Sequence, residues 1–136
     1  MRLNQVFAVI KGVVALCGSI LASFFGGWDK ALYTLLILIL FDYLTGVIRA
    51  VFARKISSSI GFRGILKKVL ILMMVGFSHL LDLNLLAGGE VLRTGVIFFY
   101  SANEGISITE NLAAIGFPIP EKLKSVLLQM KEEENG

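Results

Sequence analysis

Few residues in this 136-residue chain could do chemistry, and those few lie in apolar surroundings. Asp42 sits at the midpoint of the block 31–53 (ALYTLLILILFDYLTGVIRAVFA), and His79 and Asp82 sit in the block 69–89 (VLILMMVGFSHLLDLNLLAGG). A charged side chain at a bilayer centre costs about 2.5–3.5 kcal/mol or more, so Asp42 should face protein or water. Two roles fit it: a group inside an assembly or pore lining, or a structural hydrogen bond to a neighbouring helix. His79 has comparable depth in its own block, which allows an Asp42–His79 contact within or between subunits. Further along, Tyr100, Asn103, Glu104, Ser107, Glu110 and Asn111 fall on one face at helical spacing. That stripe reads either as a water- or subunit-facing side of a membrane helix, or as a helix leaving the membrane near Asn103.

Catalysis finds no support. The sequence has no nucleophile elbow, P-loop, HExxH motif or cysteine pair, and Gly61 and Gly64 are too isolated for a phosphate loop. The single cysteine, Cys17, excludes an internal disulfide, and the single histidine excludes multi-histidine metal ligation. His79 and Asp82, three residues apart, are too few to hold a metal. No metal and no cofactor are expected, and the chain is read as not an enzyme.

The elements that carry these residues belong to a membrane. Hydrophobic residues make up 56% of the chain and charged residues 17%, where a soluble domain has about 25% charged. A spanning helix needs about 20 mostly apolar residues. The blocks predict spans at about 6–28, 31–53, 69–89 and, more weakly, 91–109, which also holds Arg93, Asn103 and Glu104. The first is read as a retained span rather than a cleaved signal peptide, since the rest of the chain is itself membrane-embedded. The expected fold is all-α and polytopic, with four (alternatively three) transmembrane helices. The membrane domain is 1–118. The prolines Pro118 and Pro120 mark a break, and 119–136 forms a short amphipathic cytoplasmic helix and tail. In the first block Gly12, Ala15, Ser19, Ala22 (or Ser23) and Gly26 form a small-residue side that lets helices approach closely, and Gly46 is a further packing glycine.

Charge sets the orientation. Arg49, Arg54, Lys55, Arg63, Lys67 and Lys68 form a basic loop with no acidic residue among them, which places it in the cytoplasm. The short loops holding Asp29 and Lys30, and Glu90 and Arg93, then lie outside, and both termini are cytoplasmic. Between two spans, a basic loop of this kind reads as a topology signal in contact with anionic lipid headgroups, not as a nucleic-acid site.

The residue order adds a resemblance. FDYLTGVIRA at 41–50, the serine- and glycine-bearing basic loop ARKISSSIGFRGILKKV at 53–69, Asp82, and NEGISITENLAAIGFPIPEKLK at 103–124 occur in series. Together they resemble the toxin-secretion and phage-lysis holin family over roughly 40–130, while His79 stands outside its pattern. The resemblance implies a homo-oligomer in the bacterial cytoplasmic membrane that opens a lesion. A peptidoglycan-degrading endolysin or a large toxin then passes through it, with no direct binding between the two proteins required. Two other classes compete: a small ion or solute channel or transporter subunit with Asp42 as its ion site, and a membrane scaffold whose C-terminal helix binds a soluble enzyme.

Overall fold

The computed structural model describes residues 2–135, and the described residues are all-helical. Five helices succeed one another: α1 (Leu3–Phe25), α2 (Lys30–Phe52), α3 (Ser58–Asn84), α4 (Val91–Ala114) and α5 (Glu121–Asn135). The first three are long and apolar enough to cross a membrane.

Local chemistry sets the joints. α1 ends where Gly26 takes a left-handed conformation (φ 85°) that a side chain would strain, and the Gly27 amide turns back to the Ala22 carbonyl at 2.8 Å. Asp29 then caps α2, its carboxylate accepting from the Leu32 amide at 2.9 Å. Residues 53–57 turn the chain directly into α3. The expected basic loop is therefore shorter than the charge pattern suggests: Arg63, Lys67 and Lys68 belong to α3, and only Arg54 and Lys55 lie in the turn. Gly116 (φ 79°) closes α4 before Pro118 and Pro120.

Packing is uneven. α4 is the central helix, lying against α2, α3 and α5, whereas α1 touches the rest mainly through α3. Phe24, near the end of α1, packs so closely on Gly76 of α3 that a Cβ there would collide with its ring. Residues 3–17 of α1 are exposed throughout, so Gly12 and Ala15, with Ser19 one turn on, are left uncovered by the described residues. Gly12 has nothing within 4 Å of where a Cβ would stand. Ser19 instead donates to the Ala15 carbonyl of its own helix at 2.9 Å.

The buried core is layered along the three helices α2, α3 and α4. On α2 the buried positions are Leu32, Leu35, Ile39 and Asp42, a single stripe at helical spacing. α3 contributes Val75, Ser78 and Asp82, and α4 contributes Arg93, Ile97, Ser101 and Glu104. Apolar layers built on Leu32, Leu35, Ile39, Val75 and Ile97 thus lie between two polar ones.

α5 is not a free helix. It folds back along α4, where Leu127 reaches Gly105, and a Cβ at Gly105 would stand 2.7 Å from a Leu127 methyl. Only Leu127 and Met130 of its apolar side are half-buried, while Leu123, Val126 and Leu128 stay exposed.

Candidate functional site

The first polar layer gathers three charges from three helices. Lys68 of α3 donates to Asp42 of α2 and, at 2.7 Å, to Glu104 of α4. Asn111, two turns further along α4, donates to the Asp42 carboxylate at 3.1 Å and to the Thr45 hydroxyl at 3.1 Å. Its carbonyl oxygen accepts from Arg49 at 3.4 Å. Asp42, Glu104 and Asn111 are each more than nine-tenths buried. Two carboxylates against one ammonium leave the cluster with formal charge −1, and the neutral Asn111 and Thr45 supply further hydrogen bonds without adding charge.

The hairpin explains the pairing. Asp42 and Lys68 each lie thirteen residues from Lys55, the centre of the turn, so antiparallel helices bring them level. His79 is eleven residues beyond Lys68, about 16 Å further along α3. Within the chain the contact between Asp42 and His79 is accordingly not made. The His79 ring lies instead beside Gly26 and Arg93, and its Nδ1 is buried with no hydrogen-bond partner among the described residues.

The second polar layer is a knot around Arg93, which the charge pattern assigns to an outside loop. Arg93 is 1% exposed. Its guanidinium donates to the Phe25 carbonyl at 2.5 Å, to the Gly27 carbonyl at 3.1 Å and to the Asp29 carboxylate at 2.7 and 3.2 Å. Asp82 completes the knot from α3, accepting from the Leu92 and Arg93 amides at 3.0 and 2.8 Å. It thereby caps the start of α4, where free amides and the helix dipole favour an anion. The neighbouring guanidinium holds the Asp29 carboxyl below its ordinary value, against a smaller opposing effect of burial. One arginine therefore ties the α1–α2 joint to the start of α4.

The remaining stripe residues divide. Asn103 and Ser107 line a cavity of about 530 Å³ beside the ion cluster, between α3 and α4. Glu110 is exposed and faces α5. Gly46 approaches Asn111, whose amide nitrogen stands 3.7 Å from where a Cβ would be. Gly26 serves the α1–α2 joint, not a small-residue side of α1. Among the described residues no group of three or more His, Cys, Asp or Glu side chains is arranged to hold a metal.

The sequence matches the bacteriophage holin family over residues 19–132. The chain belongs to that family. Among its relatives is a probable holin of Bacillus phage phi105, 39% identical over 94 residues that cover 69% of each chain. The holin-family chain is also 48% identical, over 97% of its own length and 100% of the relative's, to the "uncharacterized 14.9 kDa protein in nagH 3′region" of Clostridium perfringens. It is 40% identical to the Listeria monocytogenes protein Lmo0128 over 82% of this chain and 79% of that one. No solved structure matches it. The resemblance in the sequence is thus borne out, and the ion cluster is a feature of a holin-family membrane protein.

Proposed function

We propose that the chain acts as a holin in the bacterial cytoplasmic membrane, where copies assemble and open a lesion through which an endolysin, or a large toxin, passes. The observation that carries this reading is the cluster of Asp42, Lys68 and Glu104. It gives α2, α3 and α4 one shared side that closes with the charges bonded to each other and opens with the same charges in water. A charge left facing lipid costs about 2.5–3.5 kcal/mol. Helices that part must therefore turn these groups toward an aqueous opening. No catalysis is assigned to any residue.

In the same reading α4 is the fourth span. Its Glu104 and Asn111 are buried against α2 and α3, and Phe98 and Phe99 are only half-buried and available to lipid. The turn carrying Arg54 and Lys55 and both termini then lie in the cytoplasm. α5 packs against the C-terminal half of α4, where Leu127 covers Gly105.

The channel reading needs a carboxylate free to take an ion, whereas Asp42 is engaged by Lys68 and Asn111. Inducible expression in a bacterium, alone and with a cytoplasmic endolysin that has no export route of its own, separates the two. The holin reading expects abrupt loss of membrane potential, and a fall in turbidity only when the endolysin is present. Continued growth with an intact potential would sink it. Slow depolarisation without endolysin release would transfer the weight to a small selective pore.

A further inference from the structure

α5 docks at a depth that does not suit its own charges. Leu127 covers Gly105 of α4, the neighbour of Glu104. Glu104 shares Lys68 with Asp42, and Asp42 stands at the middle of α2. Leu127 is therefore level with the centre of the apolar helices. Met130, three residues on, is also half-buried, so α5 continues past that level. Lys131, Glu132 and Glu133 follow and are exposed. Among the described residues none of these three forms an ion pair. At that depth they are too far from the cytoplasmic headgroups to snorkel. Facing lipid, they cost more than one half-buried leucine and one half-buried methionine return.

The two sides of this contact differ in how they fare apart. The side of α4 that faces α5 holds Gly105 and Thr109. Phe98, Ala102 and Leu112 fall on the same side at helical spacing, and no charged residue does. The Thr109 hydroxyl donates to the Ile106 carbonyl of its own helix at 2.7 Å, so it needs no outside partner. Uncovered, this side suits lipid, and Gly105 lets another helix come close. On α5, Leu123, Val126, Leu127 and Met130 share one side at helical spacing. Docking leaves Leu123 and Val126 exposed. A membrane surface would bury all four and keep the charges in water.

We propose that α5 is a latch on α4. In lipid it leaves Gly105 for the cytoplasmic membrane surface, and the bared Gly105–Thr109 side packs on the same side of α4 in a second copy. A second copy fits because this side already seats a helix, and the partner's α4 brings the same glycine and no charge to the contact. The inference rests on α4 being the fourth span of an assembling holin, and it adds where copies meet and what covers that surface beforehand.

Disulfide trapping in isolated membranes tests it, on the full chain carrying Cys17→Ser. Thr109→Cys should form dimers readily, whereas Phe99→Cys, a third of a turn round α4 from Gly105, should form few. Leu127→Asp should speed the dimerisation of Thr109→Cys about tenfold, the shift expected from one half-buried leucine. Gly105→Leu should slow it by preventing close approach. A nitroxide on Gln129→Cys, in vesicles, should sit at headgroup depth. Equal dimer formation by Thr109→Cys and Phe99→Cys overturns the contact between copies, and a nitroxide at the bilayer centre overturns the release. Neither of these results depends on a destabilised variant. A rate unmoved by Leu127→Asp would show that α5 does not guard this side, and would also overturn the latch. None of these measurements reads lysis. A chain that dimerises through Thr109→Cys yet leaves the membrane potential intact fails the holin reading alone. One that releases endolysin with α5 still at the bilayer centre fails the latch alone.

Discussion

Lys68 and Glu104 meet at 2.7 Å although they lie on different helices, 36 residues apart, and the same ammonium also holds Asp42. One cation thus joins α2, α3 and α4 at a single point. Its removal strands two carboxylates that already lie close together and away from water.

Lys68→Met should therefore destabilise the bundle by about 3–5 kcal/mol, the usual cost of breaking a buried ion pair from one side. Combining it with Asp42→Asn and Glu104→Gln should recover most of that loss, because no uncompensated charge remains. Thermal unfolding of the detergent-solubilised chain measures both. A triple variant no more stable than Lys68→Met would mean that the ion cluster is not what Lys68 supports.

Arg93 makes a parallel case with a geometric control. Arg93→Ala should cost about 3–5 kcal/mol by leaving Asp29 and two carbonyls without their donor. Arg93→Lys keeps the charge but loses the fork that reaches the Phe25 and Gly27 carbonyls and Asp29 together. It should lie between Arg93→Ala and the unaltered chain, and a lysine variant that melts with the unaltered chain would show that charge alone suffices.

The Asp29–Arg93 pair also predicts a response to acid. The Asp29 carboxyl is held below its ordinary value of 3.8 in the folded chain. Its contribution is accordingly complete above about pH 3.8 and is lost as pH falls through the lower folded value. The gap in melting midpoint between Asp29→Asn and the unaltered chain should thus be constant at higher pH and narrow only below pH 3.8. A gap that instead closes between about pH 5 and 7 would contradict the depressed value.

α1 is attached largely through its last turns, and Gly76 is the test. Gly76→Leu should push Phe24 off α3 with little effect on the ion cluster. Nitroxides on the native Cys17 and on Leu83→Cys should then show a broadened distance distribution, while the melting midpoint of the α2–α4 unit moves little. An unchanged distribution would mean that α1 is held elsewhere.

Much of this was legible in the residues. Apolar blocks of about twenty gave the long helices, and Asp42, Glu104 and Asn111 stood out as polar groups at helical spacing. Two residues mislead for one reason. Lys68 next to Lys67, and Arg93 next to a turn, look like charges that mark a membrane boundary, because loop charge is the strongest orientation signal. Their helical register points inward all the same: Lys68 leads to Val75 and Asp82, and Arg93 leads to Ile97, Ser101 and Glu104 at steps of three, four or seven. The choice of Lys68 over His79 as partner needed the axial alignment of α2 with α3, which the short turn supplies. The packing of α5 on α4 left little trace, since its tightest contact is one leucine over one glycine.

The order of the helices has a consequence for synthesis. Lys68 lies 26 residues after Asp42, and Glu104 a further 36 after Lys68. At about 5–20 residues per second, the ribosome leaves Asp42 without its counter-ion for seconds, and the second carboxylate arrives later still. An insertion machinery handling α2 by itself would have to release an unpaired aspartate into lipid. The nascent chain is better served if α2 and α3 leave the translocation channel as one hairpin.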